Sequence, residues 1–191
     1  MNNNLFFENL GVKIIDSAFD DNLCDRIIEE MVSAKSKSSL ELKEITLRKT
    51  FKHELSQELE KLVLEEFNKS ISGELEEYFG LSLNYSKPVQ ALVYETGHYF
   101  AMHKDDVANE DGKIHRKITT VLFLNEQSAD QDGLNYEGGL LKLYGLLPHL
   151  PQKGFSVPCR KGSLVAFRSD TVHEVTEVIS GQRFTLVVWF E

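Results

Sequence analysis

Cysteine, proline and tryptophan are scarce in this sequence: two, four and one among 191 residues. With only Cys24 and Cys159, and no CxxC pair, neither a disulfide scaffold nor a zinc ribbon is supported. A reducing compartment is the simpler expectation. No apolar run approaches the ~18 residues of a membrane span. The opening MNNNLFFENLG lacks the basic and apolar regions of a secretory leader. Basic residues are also in the minority, 21 against 30 acidic ones, for a formal net charge of −9. That balance argues against a non-specific phosphate-binding surface. A cytoplasmic location is therefore expected, without a nucleic-acid or membrane partner; the oligomeric state is left open.

What is present has globular texture. Hydrophobic residues make up 41% and charged residues 27%, which excludes wholesale disorder. The length fits one domain, and there is no repeat or Pro/Gly-rich linker. Asp20 or Asp21 can cap a helix in which Leu23, Ile27 and Met31 recur every four residues. Ser33 to Ser39, SAKSKSS, reads as a loop. A second helical pattern runs from about His53 to Phe79, with Leu55, Leu59, Leu62, Val63, Phe67, Ile71 and Leu75 on one stripe. Gly73 is expected to divide it.

From Pro88 onward short β-rich runs alternate with turn residues: VQALVY, RKITTVLFLN, GGLLKLYG, GSLVAF, VHEVTEV and RFTLVVWFE. In the last run Phe184, Leu186, Val188 and Phe190 point to one face, and Arg183, Thr185, Val187 and Trp189 to the other. Both faces are largely apolar, so the strand is expected to be covered on both sides. The class is α+β: a single domain over 1–191, with 1–80 mainly helical support and 88–191 an antiparallel β core.

Of six histidines, His53 reads as a surface residue, and His98, His115 and His149 as solvated neighbours of turns. His103 and His173 differ. His103-Lys104-Asp105 is an HxD tripeptide that, on an extended segment, projects an imidazole and a carboxylate to one side. His173 lies on a later strand. Two histidines and one carboxylate make the facial triad of non-haem Fe(II) enzymes, with open positions for cosubstrate and oxygen. Arg183 begins the two-faced strand, where a buried guanidinium requires an anionic partner and its fork suits a carboxylate. A zinc hydrolase would need a general base beside the ligands; Asp106 and Glu174 have no independent support. The cluster KIHRK, Lys113 to Lys117, reads as a solvated turn that could line a site mouth. Cys159 reads as a buried thiol without function.

Taken in order, these pieces resemble the Fe(II)/2-oxoglutarate-dependent oxygenases, in their prolyl-hydroxylase-like branch. The likeness spans Tyr94 to Phe190. It begins with Tyr94-Glu95-Thr96-Gly97 and HxD nine residues after the tyrosine. It continues through RKITTVLFLN, the GG-containing run Glu137 to Leu143, Lys161 to Phe167, and Val172-His173-Glu174-Val175, then Gly181-Gln182-Arg183 and Val188-Trp189-Phe190. The resemblance implies a double-stranded β-helix, or jelly roll, buttressed by the N-terminal helices. It implies that His103, Asp105 and His173 are catalytic metal ligands for Fe(II). Arg183 would hold the distal carboxylate of 2-oxoglutarate, assisted by Thr185 and Tyr94. Dioxygen is the other implied cosubstrate and ascorbate an accessory reductant. The implied activity is hydroxylation of an unactivated C–H bond, foremost on a prolyl residue of a protein or peptide. Alternatives are the same chemistry on a free amino acid or other small metabolite, and a non-catalytic binding module on the same barrel; a nucleic-acid demethylase is disfavoured by the charge.

Two positions depart from the family pattern. A second tyrosine that helps hold 2-oxoglutarate in some members is expected at Leu122. Another, three residues before the proximal histidine, is Phe100, with Tyr99 beside it. The first 80 residues carry no motif, and substrate choice is expected to lie there.

Overall fold

A computed structural model describes residues 3–33, 39–41, 47–106, 112, 115–128 and 134–191. The chain opens with α1 (Asn3–Glu8), β1 (Lys13–Ile15), α2 (Asp21–Ser33), β2 (Ser39–Glu41) and β3 (Arg48–His53). Then come α3 (Gln57–Glu66), a π-helical turn (Phe67–Ile71) and α4 (Ser72–Phe79). Strands follow: β4 (Tyr85–Glu95), β5 (Tyr99–His103), β6 (Ile118–Phe123), β7 (Glu137–Gly138), β8 (Leu141–Leu143) and β9 (Phe155–Ser156). The last four are β10 (Leu164–Arg168), β11 (His173–Val175), β12 (Val178–Ser180) and β13 (Gln182–Phe190).

The strands pair antiparallel in the order β1-β10-β6-β13-β4-β3-β5-β11-β8-β9, with β2 on β3 and a separate β12-β7 pair. One half of this curled sheet runs from β1 to β3, and the other from β3 to β9. Strand β3 serves both. Phe51, Lys52 and His53 pair with Val93, Leu92 and Ala91, whereas Arg48 and Lys49 pair with Phe100 and Tyr99.

Side-chain alternation along β13 sorts the interior into two layers. Phe184, Leu186, Val188 and Phe190 join Ile27, Met31, Val63, Phe67, Ile71 and Leu75 from the helices in one apolar cluster. Val187 and Trp189 face the other way, into a cluster with Leu92, Tyr94, Val121, Phe123, Leu141, Phe167 and Val175. Helices α2, α3 and α4 therefore cover the back of the sheet whose front holds the second cluster, to which α1 adds Phe7.

Local chemistry sets the helix boundaries. The Asp20 carboxylate accepts from the Leu23 N–H at 2.7 Å, capping α2. Ser56 caps α3, its Oγ accepting from Leu59 N at 3.3 Å. Ser56 N and Oγ also donate to Glu30 at 2.6 and 2.7 Å, tying α3 to α2.

Several expectations are corrected. The second helix does not begin near His53, which ends β3 and is buried. Nor does Gly73 break it: the irregularity is the π turn just before, and Gly73 lies inside α4. Apolar residues spaced by four drift about 40° per step around an α-helix. One widened turn resets that drift, and Leu59, Val63, Phe67, Ile71 and Leu75 all stay buried. His98 is also buried, its ring 5.3 Å from that of Phe51, whereas His149 is exposed. The N-terminal third contributes β1, β2 and β3 to the sheet besides its helices. Of the two loops singled out, residues 34–38 and 113–114 lie outside the described residues.

Phe67 packs the helices onto the sheet, its ring 5.8 Å from Phe19 and 6.1 Å from Phe190. Phe67→Ala is expected to cost about 3–5 kcal/mol of stability in urea unfolding. Exposed Lys61→Ala should cost less than about 0.5 kcal/mol.

Candidate active site

His103 ends β5 and His173 begins β11, and the two sit opposite each other in the antiparallel register. Their ring centroids are 4.1 Å apart. Asp105 lies beyond the strand end, where its N–H donates to Ser169 O at 2.9 Å. One ligand atom from each of the three residues lies within 4.8 Å of the others. Histidine Nδ1 contacts backbone carbonyls in both cases, Ala101 O at 2.8 Å and Thr171 O at 3.0 Å. A carbonyl can only accept, so Nδ1 carries the hydrogen and Nε2 presents its lone pair. The two Nε2 atoms lie 3.6 and 3.5 Å from Asp105 Oδ1 and Oδ2.

Neutral donors hold the carboxylate. Thr119 Oγ1 and Trp189 Nε1 donate to Asp105 Oδ2 at 3.0 and 3.1 Å. Phe100 stacks on His103 at 3.4 Å, and Phe167 meets His173 edge-on at 4.9 Å. Burial, with the adjacent His173 as second cause, pushes His103 down to about 4. The imidazole is neutral near pH 7, the state in which it ligates a metal. Two imidazoles and one carboxylate, each oriented by a second hydrogen bond, fit Fe(II).

These three side chains line a cavity of about 290 Å³ that also holds Tyr94, Arg183 and Thr185. Arg183 is 1% exposed. Its Nη1 donates to Thr185 Oγ1 at 3.3 Å, and its Nε and Nη2 have no hydrogen-bond partner among the described residues. The Tyr94 and Phe123 rings flank it, with centroids 5.1 and 5.2 Å from Cζ. A buried cation with open N–H groups beside a metal-type triad fits a dicarboxylate that reaches both. Gly139, at φ +56°, makes room for this arginine, because a Cβ there would lie 2.9 Å from Arg183 Cδ.

The strand position that faces Arg183 is Phe123 and not Leu122. Leu122 belongs to the helix-side cluster, as strand alternation requires. Asn125 went unnoticed in the sequence. Its Nδ2 donates to Gln182 O at 2.7 Å and its Oδ1 accepts from Phe184 N at 2.9 Å, clasping the backbone on both sides of Arg183. Thr119 could have been found from its place on the RKITT strand, but nothing in the sequence pairs it with Asp105. Arg48, Lys104 and Arg116 line the same cavity, with Arg116 Cζ 3.9 Å over the Trp189 ring. Glu174 is engaged elsewhere, accepting from Tyr144 at 2.6 Å and lying 3.8 Å from Lys142. Cys24 and Cys159 are free, buried thiols.

Comparison with known proteins agrees with the motif order. The family model of the 2OG-Fe(II) oxygenase superfamily matches residues 89–191. A PKHD-type hydroxylase of Shewanella baltica is 31% identical over 100 residues, covering 51% of this chain and 40% of that protein. The chain thus spans less than half the length of this curated relative. Among solved structures, a Pseudomonas putida prolyl-4-hydroxylase superposes with TM-score 0.70 at 21% identity, covering 95% of this chain and 92% of that one. A Trichoplax adhaerens prolyl hydroxylase, in complex with a hypoxia inducible factor peptide fragment, gives 0.64 at 16% identity, covering 98% and 90%. These likenesses establish the jelly-roll fold. No helix among the described residues is long and apolar enough to cross a membrane.

The low basicity of His103 predicts a pH dependence. Its imidazole titrates near about 4 when folded, against 6.5 for the free group. Between those values the unfolded chain binds more protons, so stability rises with pH across the window and falls as pH drops through it. The metal-free melting temperature should therefore fall between pH 6.5 and 4 more in the wild type than in His103→Gln. Equal losses in both would contradict this.

Proposed function

The chain belongs to the 2OG-Fe(II) oxygenase superfamily, and we propose that it is an Fe(II)- and 2-oxoglutarate-dependent dioxygenase hydroxylating a prolyl residue of a protein or peptide. The observation that carries this reading is the convergence of the His103–Asp105–His173 cluster and buried Arg183 in one cavity. A curated relative is a PKHD-type hydroxylase, and two proteins of like fold are prolyl hydroxylases, one with a peptide bound.

In this reading His103 and His173 hold the iron through Nε2 and Asp105 holds it through a carboxylate oxygen. Bound Fe(II) supplies the redox chemistry, coupling oxidative decarboxylation of 2-oxoglutarate by dioxygen, to succinate and carbon dioxide, with hydroxylation of a C–H bond. Thr119 and Trp189 keep the Asp105 carboxylate from rotating. Arg183 and Thr185 take the distal carboxylate of the keto acid, with Tyr94 packed against the guanidinium. Leu92, Val121, Leu141, Val175 and Val187 wall the cavity with apolar surface that excludes water. Arg116 and Lys104 line the cavity as further cations, where an anionic group on the substrate can be drawn in.

The test is succinate release from 2-oxoglutarate with a panel of prolyl peptides and free amino acids, followed by mass analysis for a gain of one oxygen. Oxygen gain on a peptide is the expected result. Gain on free amino acids alone would transfer the substrate to the metabolite class, and no turnover in any arm would leave a binding module. His103→Ala, Asp105→Ala and His173→Ala should each abolish turnover. Arg183→Ala should weaken 2-oxoglutarate binding roughly thirtyfold or more while retaining the metal. Arg183→Lys should fall between, since it keeps the charge and loses the fork.

A further inference from the structure

We propose that Tyr136 is a positioning residue for Arg183, and that its hydroxyl sets the affinity for the distal carboxylate of the keto acid; this rests on the functional reading above. Tyr136 precedes β7 and is 1% exposed. Its hydroxyl makes no well-formed hydrogen bond among the described residues, and neither do Arg183 Nε and Nη2; it faces the Arg183 guanidinium and the Cys159 thiol. A buried polar atom left unpaired is destabilising and rare. Here three such atoms belong to two side chains that interact electrostatically.

Two glycines create the apposition. A Cβ on Gly139 would lie 2.9 Å from Arg183 Cδ and 3.3 Å from Tyr136 Cε2, so the arginine stem and the phenol ring flank the same Cα. A Cβ on Gly181 would lie 3.0 Å from Tyr136 Cα. Tyr136 is further tethered by its own backbone, its N–H donating to Glu126 O at 3.2 Å and its carbonyl accepting from Ser128 N at 3.0 Å.

Arg183 and Thr185 line the cavity and Tyr136 does not. The phenol thus meets the guanidinium away from the carboxylate site. Burial raises its pKa, so it remains a neutral hydroxyl with a lone pair to offer. When an incoming carboxylate draws Nη1 and Nη2 into a parallel fork, with Thr185 beside Nη1, the phenol oxygen is the acceptor at hand for Nε. Phe123, whose ring also lies against Arg183, carries no hydroxyl that could do this.

The test uses Tyr136→Phe, which removes one oxygen and keeps the ring. The full chain is loaded with Mn(II), kept free of oxygen, and titrated calorimetrically with 2-oxoglutarate and with 2-oxobutyrate, which lacks the distal carboxylate. The variant should bind 2-oxoglutarate roughly ten- to a hundredfold more weakly, as for loss of one hydrogen bond to a charged group. Its affinity for 2-oxobutyrate and its manganese content should be unchanged. Its metal-free melting temperature should not fall, because an unpaired buried hydroxyl has been removed. Unchanged 2-oxoglutarate affinity, equal weakening of both keto acids, or failure of the variant to fold would each overturn the proposal. Wild-type protein that binds neither keto acid would overturn the functional reading, and this inference with it.

Discussion

Side-chain alternation along Gln182–Phe190 ties the helical layer to the cavity. Phe184, Leu186, Val188 and Phe190 fill the cluster packed by the helices, while Arg183, Thr185, Val187 and Trp189 face the site. A strand has a period of two, so a slip of one residue would exchange the two sets. Arg183 would then enter a hydrocarbon layer and four large apolar side chains would fill the cavity. The register is therefore held by the cost of burying a cation among Val63, Phe67 and Ile71 as much as by the ladders to β4 and β6. Asn125 adds a local clasp at Gln182 and Phe184, either side of the position that matters most.

The electrostatics of the cavity follow from what surrounds each charge. Asp105 is held by a hydroxyl and an indole N–H, and Arg183 by one hydroxyl and two rings. Neither charge is spent on the other's hydrogen bonds. A carboxylate gripped by neutral donors keeps its attraction for a metal, and a guanidinium between rings keeps donors for an anion. A divalent cation and a dicarboxylate are thus natural counterions for one another in this enclosure.

Much of this arrangement was legible in the sequence where one period or one motif sufficed. The two-faced final strand was readable from alternation alone, and HxD with a distant histidine named the residues that β5 and β11 bring together. What escaped had weaker local signals. RKTFKH carries three basic residues and a histidine in six, yet it forms β3, because both halves of the sheet need a shared strand there. His53 and His98 look polar one residue at a time, but tertiary packing buries both. Leu122 and Phe123 are adjacent, and only the pleat decides which one meets Arg183. Tyr136 carries no local signal, and no pattern within one sequence links it to a residue so much later in the chain.

The pairing of Lys13, Ile14 and Ile15 with Ala166, Val165 and Leu164 has a kinetic consequence. It joins segments near opposite ends of the sequence, and β13 inserts between β4 and β6. Few of the ladders that build the cavity connect neighbours in the chain, so loop-closure entropy must be overcome before most contacts reward it. Such a topology folds slowly for its size. The helices from Gln57 to Phe79 rest on local contacts and can form early. The histidines of β5 and β11 come together only with the late, long-range closure, which makes metal capture an event of the finished barrel.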